Sequence, residues 1–60
     1  MEQAYHEILT LKQCQEILQI GKNLMLFLVH NEEIPAFRVG KQWRIRKEDL
    51  ERYIEERFEY

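Results

Sequence analysis

The chain has one cysteine and one proline among its 60 residues, and it has no long apolar run. A single cysteine excludes an internal disulfide and a zinc site built on paired cysteines, and Cys14 fits a reducing compartment. The longest apolar run, Leu24–Val29, is six residues, far below the ~20 needed to cross a bilayer. Residues 1–10 are charged and resemble no secretory leader. The sequence therefore predicts a cytoplasmic protein without membrane association.

The length also limits the kinds of function. A chain of 60 residues forms one domain at most and buries only ~60% of the surface of its unfolded form. A cleft of ordinary enzyme size is hard to build on such a core. The two histidines, His6 and His30, are far apart in sequence. The sequence predicts a binding protein and not an enzyme, with no catalytic residue, cofactor or metal.

Charge is distributed unevenly along the chain. The net charge is −2, yet residues 35–47 carry five basic side chains and no acidic one. Residues 48–60 carry six acidic side chains and two basic ones. A local basic edge, and not the total charge, is the feature that phosphate binding requires. We therefore expect the 35–47 segment to contact nucleic acid.

Two helices separated by a turn are predicted in the first half of the chain. Thr10 and Gln13 have the spacing of a capping box, in which each side chain caps the backbone N–H of the other. Apolar residues at helical spacing follow, and Gly21 interrupts the pattern. This predicts a first helix over Leu11–Gln19 and a second over Lys22 to about Asn31.

A β-hairpin is predicted next. Ala36–Val39 and Trp43–Arg46 alternate apolar and basic residues, which is the period of a strand. A three-residue loop, Gly40–Gln42, places the four apolar side chains on one face and leaves Arg38 and Arg44 on the other. A two-residue loop would mix the faces, so the three-residue loop is favoured.

The third helix is predicted from Lys47 to about Phe58. Its apolar stripe consists of Leu50, Tyr53, Ile54 and Phe58. Acidic residues occupy its first turn, where the helix dipole favours them. The remaining acidic side chains are expected to form a solvated face, with partner binding, for instance to an integrase, as the alternative.

Several segments together resemble the excisionase family of helix-turn-helix domains, which are related to the DNA-binding domain of MerR-type regulators. The matching segments are Leu9–Leu11, Ile34–Gly40, Trp43–Ile45 and Lys47–Leu50. They cover about residues 8–56, and the Pro-Ala-aromatic-Arg-Val-Gly stretch followed by Trp-Arg-Ile is the most specific part. The turn Ile20–Asn23 is also similar to excisionases of conjugative transposons.

The resemblance implies a small α+β winged helix-turn-helix domain over residues 8–60, preceded by a loose tail over residues 1–7. The second helix would enter the major groove of duplex DNA, and the hairpin wing would contact the backbone or the minor groove. We expect an architectural, sequence-specific DNA-binding protein of the excisionase type, a recombination directionality factor of a mobile genetic element. An integrase or recombinase and neighbouring copies on DNA are further candidate partners. A small transcriptional regulator is the alternative.

The predicted DNA-contacting residues divide between the second helix and the wing. They are Lys22, Asn23, Phe27, His30, Arg38, Lys41, Gln42, Arg44 and Arg46. Arg38 and Arg44 are expected to bind phosphate, with Lys41 and Gln42 at the wing tip. Asn23 would either cap the helix or contact adenine. Arg46 and Lys47 could instead serve the start of the third helix.

The chain departs from the family at Phe27, where members usually carry a basic residue. A step of 100° per residue puts Met25, Leu28 and Val29 on the side opposite Phe27. The outward face then has Phe27 at its centre, with Asn23 and His30 beside it, and is unusually apolar for a helix that contacts DNA. Contact with thymine methyl groups is one possibility for Phe27. A protein-interaction module that uses this face as an oligomer interface is the alternative from another class. Trp43 and Cys14 are assigned to the core.

Overall fold

The computed structural model describes residues 7–57, which form three helices and a three-stranded antiparallel sheet in the strand order β1-β3-β2. The elements are β1 (Ile8–Thr10), α1 (Leu11–Leu18), α2 (Lys22–His30), β2 (Phe37–Val39), β3 (Gln42–Arg46) and α3 (Lys47–Arg57). This is the winged helix-turn-helix architecture expected from the sequence. The tail predicted for residues 1–7 lies outside the described residues except for Glu7, and so does the predicted helix end at Phe58.

Strand β1 is an addition to the predicted two-stranded wing. It pairs antiparallel with β3, with Leu9 opposite Ile45 and Thr10 opposite Arg44. The backbone N–H of Lys47 donates to the Glu7 carbonyl at 2.9 Å and extends this contact by one residue. The strand has only three residues, too few for the alternation by which a strand is found in a sequence.

The predicted hairpin register is wrong. Val39 pairs with Gln42, so the loop has two residues, Gly40 and Lys41. Gly40 has φ +65°, and a glycine with positive φ at the first loop position is what a two-residue hairpin turn requires. Arg38 consequently lies opposite Trp43, and the wing does not separate its apolar and basic side chains onto two faces. Phe37 and Val39 instead lie on the outer face, 40% and 55% exposed.

The core lies between the helices and the inner face of the sheet. It consists of Leu9, Cys14, Met25, Leu28, Val29, Ile34, Ile45 and Leu50. The predicted inward side of α2 and the core position of Cys14 are confirmed. On α3, Leu50 is buried, Tyr53 is half-buried and Ile54 is 38% exposed.

No helix within residues 7–57 is long and apolar enough to span a membrane.

Local hydrogen bonds fix both ends of α1, and those at its start form the predicted capping box. The backbone N–H of Gln13 donates to Thr10 Oγ1 at 3.0 Å, and that of Thr10 donates to Gln13 Oε1 at 2.8 Å. The helix ends at Leu18, one residue before the predicted end, because Gln19 adopts the left-handed conformation (φ 60°). Its N–H still donates to the Gln15 carbonyl. After this short turn, Gly21 caps the start of α2 in an extended conformation.

Gly40→Ala is expected to lower the free energy of unfolding by about 1–2 kcal/mol, the cost of a left-handed conformation for a residue with a Cβ. A Cβ at Gly40 would meet no atom within 4 Å, so the loss of stability would come from the backbone conformation and not from a steric clash. Gly21→Ser is the control, since Gly21 has φ −81° and open space around it, and serine is a preferred helix cap. Urea denaturation measures both variants, and equal stability of the two would contradict the turn.

Burial raises the pKa of the Cys14 thiol from 9.0 to about 11. The folded protein therefore holds this proton more tightly than the unfolded chain does. Its contribution to stability is complete below pH 9 and is lost as the pH rises towards about 11. We expect the difference in unfolding free energy between the native protein and Cys14→Ala to shrink over this range. A constant difference would contradict the raised pKa of the thiol.

Candidate nucleic-acid interface

The outward face of α2 carries the four residues predicted for that helix. Lys22, Asn23, Phe27 and His30 are all exposed, Phe27 by 55%. Asn23 and Phe27 are four residues apart and Phe27 and His30 are three apart, so they lie on one side of the helix. The inward side is fixed by Met25, which is fully buried. The predicted orientation of α2 is therefore present in the structure.

Trp43 connects α2 to the wing. Its ring centroid is 5.7 Å from that of His30, with 57° between the ring planes. On the wing side, the Arg38 guanidinium carbon lies 4.5 Å from the centroid of the Trp43 ring. Such a cation–π contact contributes about 0.5–1 kcal/mol at an exposed site, and it restricts the orientations of the Arg38 side chain. Trp43 is half-buried and packs against the core, so its ring belongs partly to the core and partly to the exposed surface.

These contacts make one continuous surface, which we call the α2–wing surface. Its members are Lys22, Asn23, Phe27, His30, Trp43 and Arg38. Sequence reasoning placed Trp43 in the core alone and missed its contact with Arg38. The Gly40-Lys41 pair was the available signal, because a two-residue loop sets Arg38 opposite Trp43.

Arg44 and Gln42 lie on the opposite face of the sheet, which corrects the prediction that Arg38 and Arg44 share a face. Arg44 Nη1 donates to the Trp43 carbonyl at 3.0 Å, and Nη2 donates to Gln42 Oε1 at 3.0 Å. Lys41 lies in the hairpin turn and is exposed, and Gln42 begins β3. Arg38 and Arg44 therefore cannot contact the same face of a partner from one side of the sheet.

Arg46 serves the start of α3, the alternative considered for it above. Its Nε donates to Asp49 Oδ2 at 2.8 Å and its Nη2 to Oδ1 at 3.3 Å, while Nη1 lies 3.5 Å from Glu48 Oε2. Asp49 is 3% exposed, so its carboxylate depends on this partner. The hydrogen bond to Asp49, with the charge of that carboxylate, raises the pKa of Arg46. The structure therefore favours a structural role for Arg46 over phosphate binding.

The basic side chains divide into paired and unpaired groups. Arg57 Nη2 lies 2.8 Å from Glu33 Oε1, and Arg52 Nη1 lies 3.6 Å from Asp49 Oδ1. Lys22, Arg38 and Lys41, by contrast, form no ion pair with any residue of the described segment 7–57. Among residues 7–57, Lys22 on α2 and Arg38 and Lys41 of the wing thus remain available to an anionic partner, and so does Lys12 on α1. Arg52 and Arg57 of α3 each face an acidic side chain.

No group of three or more His, Cys, Asp or Glu side chains that could hold a metal ion occurs within the described part of the chain. The conspicuous chemistry of the α2–wing surface is a set of positive charges around an apolar and aromatic centre. Such a surface is suited to binding a polyanion that also offers apolar groups.

Comparison with known proteins agrees with this geometry. A helix-turn-helix domain family model matches residues 8–57, the range of all six elements. Two curated proteins from two strains of Mycobacterium tuberculosis, each with a name beginning "Putative DNA-binding protein", are 36% identical to the chain over 44 residues. The matched region covers 73% of this chain and 56% of each relative, so the chain spans about half the length of the curated relatives it matches. No solved structure matches the chain significantly.

Arg46→Gln is expected to lower the melting temperature by several degrees, because the buried Asp49 carboxylate loses both of its hydrogen bonds from the guanidinium. Arg52→Gln is the matched control. Arg52 faces the same carboxylate at 3.6 Å without a hydrogen bond and is 63% exposed, so its loss should change the melting temperature little. Thermal unfolding followed by circular dichroism compares the two, and equal effects would contradict the assigned role of Arg46.

Proposed function

The chain belongs to the helix-turn-helix domain family, and on that premise we propose that it binds duplex DNA, with α2 in the major groove and the wing against the sugar–phosphate backbone. The observation that carries this proposal is the continuity of the α2–wing surface through Trp43. It joins the outward face of a helix to the guanidinium of Arg38, which has no acidic partner within residues 7–57. The proposed function is binding, without a catalysed reaction.

The dimensions of α2 suit the major groove. With its side chains an α-helix is ~10–12 Å in diameter, and the groove is ~12 Å wide and admits one helix. Lys22 at the first turn and Arg38 beyond the last turn would lie near phosphates on the two sides of the groove. Lys41 at the wing tip would reach the backbone farther along the duplex.

Electrostatics favour the same orientation. The acidic side chains of the last third of the chain lie mostly on α3, where Asp49 and Glu48 are already engaged by Arg46. Cations without an acidic partner attract phosphates and release condensed counterions when they bind. A net charge of −2 is therefore compatible with DNA binding through one face of the domain.

We further propose the finer role of an excisionase-like recombination directionality factor of a mobile genetic element. The wing sequence that resembles excisionases supports it, and an integrase or recombinase and neighbouring copies on DNA would then be partners. Some members of the family that the wing resembles direct excision by bending DNA, so in this role the purified chain should change the mobility of a bound duplex according to the position of the site. Stimulated excision by the cognate integrase would separate this role from that of a small transcriptional regulator.

A second candidate function rests on the exposed apolar side chains of α2. Leu24 is 50% and Phe27 is 55% exposed, and contiguous apolar surface often marks a protein interface. A protein-interaction module would associate through this face without DNA. Sedimentation at increasing protein concentration distinguishes the two functions. An interaction module should associate in the absence of DNA, whereas the DNA-binding proposal requires no association of the free protein.

The salt dependence of binding tests the proposal directly. One small module buries only ~600–1,000 Å² of protein surface on DNA, so affinity for a single site should be modest and should fall steeply with salt. Arg38→Gln should make the slope of log affinity against log salt shallower by about 0.9, the value for one phosphate contact. Fluorescence anisotropy with a labelled duplex at several salt concentrations measures the slope.

Arg52→Gln is the control for this measurement. It removes the same charge from an exposed position on α3, away from the α2–wing surface. Its salt slope should equal that of the native chain. Equal slopes for all three proteins would contradict phosphate contact by the wing.

A further inference from the structure

The exposed side of α2 has an unusual composition for a helix proposed to enter the major groove. Its exposed large hydrophobic side chains are Leu24 and Phe27, each at least half exposed. They are three residues apart and therefore adjacent on the helix surface. The helix contains no acidic residue and no arginine. Polar readout of bases by long basic side chains is therefore not available along the middle of α2.

The major groove offers one apolar group that distinguishes bases, the C5-methyl group of thymine. Guanine and cytosine present hydrogen-bonding edges that an aliphatic or phenyl side chain cannot satisfy. We infer that α2 reads thymine methyl groups, with Phe27 as the main contact and Leu24 beside it. The inference rests on the proposed function and names its target class, duplex sites with A·T pairs facing α2.

Asn23 supplies the complementary polar contact. It is exposed, and its side chain forms no hydrogen bond with any of residues 7–57. It is four residues before Phe27, on the same side of the helix. An asparagine amide makes two hydrogen bonds to the adenine edge, so Asn23 can read the adenine of an A·T pair next to the methyl group that Phe27 contacts.

The surroundings of this apolar centre favour DNA as its occupant. Lys22 lies at one end of the α2–wing surface and Arg38 at the other, both without ion pairs in the described part of the chain. In the major groove, base edges lie between two rows of phosphates. The two cations of the α2–wing surface would face the two rows of phosphates, and the apolar side chains between them would face the methyl groups of the bases. The surface is also continuous with the proposed phosphate contact, because His30 and Arg38 both touch Trp43.

The experiment replaces thymine by deoxyuridine, which removes the methyl group and leaves every hydrogen-bonding group of the base. The probe is the duplex that the native chain enriches from a randomised library, resynthesised with deoxyuridine at one thymine at a time. At a contacted position, loss of one methyl group should weaken binding about fourfold. Phe27→Ala should bind the unmodified duplex more weakly and should no longer respond to deoxyuridine at that position.

Ile17→Ala is the matched control. Ile17 is 52% exposed but lies on α1, beside Glu7 and Lys47. This variant should keep the full response to deoxyuridine. Thermal unfolding should show both variants to be folded, because neither side chain belongs to the core. Should Phe27→Ala fail to fold, the deoxyuridine series on the native chain still decides whether thymine methyl groups are contacted.

Three results would overturn the inference. The first is native binding that is insensitive to deoxyuridine at every position, and the second is a response that Phe27→Ala retains. The third is a dimer of the free protein that Phe27→Ala dissociates, which would assign the face to a second copy. In the first two cases salt-dependent duplex binding would leave the proposed function intact. Absence of any salt-dependent binding by the native chain would instead remove the proposed function itself.

Discussion

The burial of Ile45 in β3, the central strand, orients the whole sheet. Ile45 is fully buried and pairs with Leu9 of β1, so the face that carries both side chains must point to the core. Alternation along the strand then puts Trp43 on the same face. The turn at Gly40 and Lys41 finally brings Arg38 opposite Trp43. The position of Arg38 thus follows from one core contact, between Ile45 and Leu9, and one turn.

Much of the helical part of the fold could be predicted from the sequence because its determinants are local. The capping box at Thr10 depends on two residues three positions apart, and the buried side of α2 follows from helical periodicity. The hairpin register could not be derived by grouping apolar residues on one face. That rule assumes a sheet that buries all its apolar side chains, whereas a domain of this size leaves Phe37 and Val39 exposed.

In the candidate site, too, the features with local determinants could be predicted and those that depend on tertiary packing could not. Exposure of Asn23, Phe27 and His30 followed from the helix period alone. The separation of Arg38 from Arg44, and the engagement of Arg46 by a buried aspartate, depend on strand pairing and on packing between elements. Five basic residues close together in sequence therefore differ in what they are free to bind. The local charge indicates where a polyanion would approach, but only the pairing in three dimensions indicates which side chains can meet it.

The place of Trp43 between helix and wing also has an optical consequence. It is the one tryptophan among the 60 residues, and its ring lies next to the Arg38 guanidinium and the His30 imidazole. Indole emission responds to nearby charge and to exclusion of water. The tryptophan emission of the unlabelled chain, excited selectively over its three tyrosines, therefore originates from a single point, where the helix and the wing meet, and it reports the geometry of that junction without any added dye.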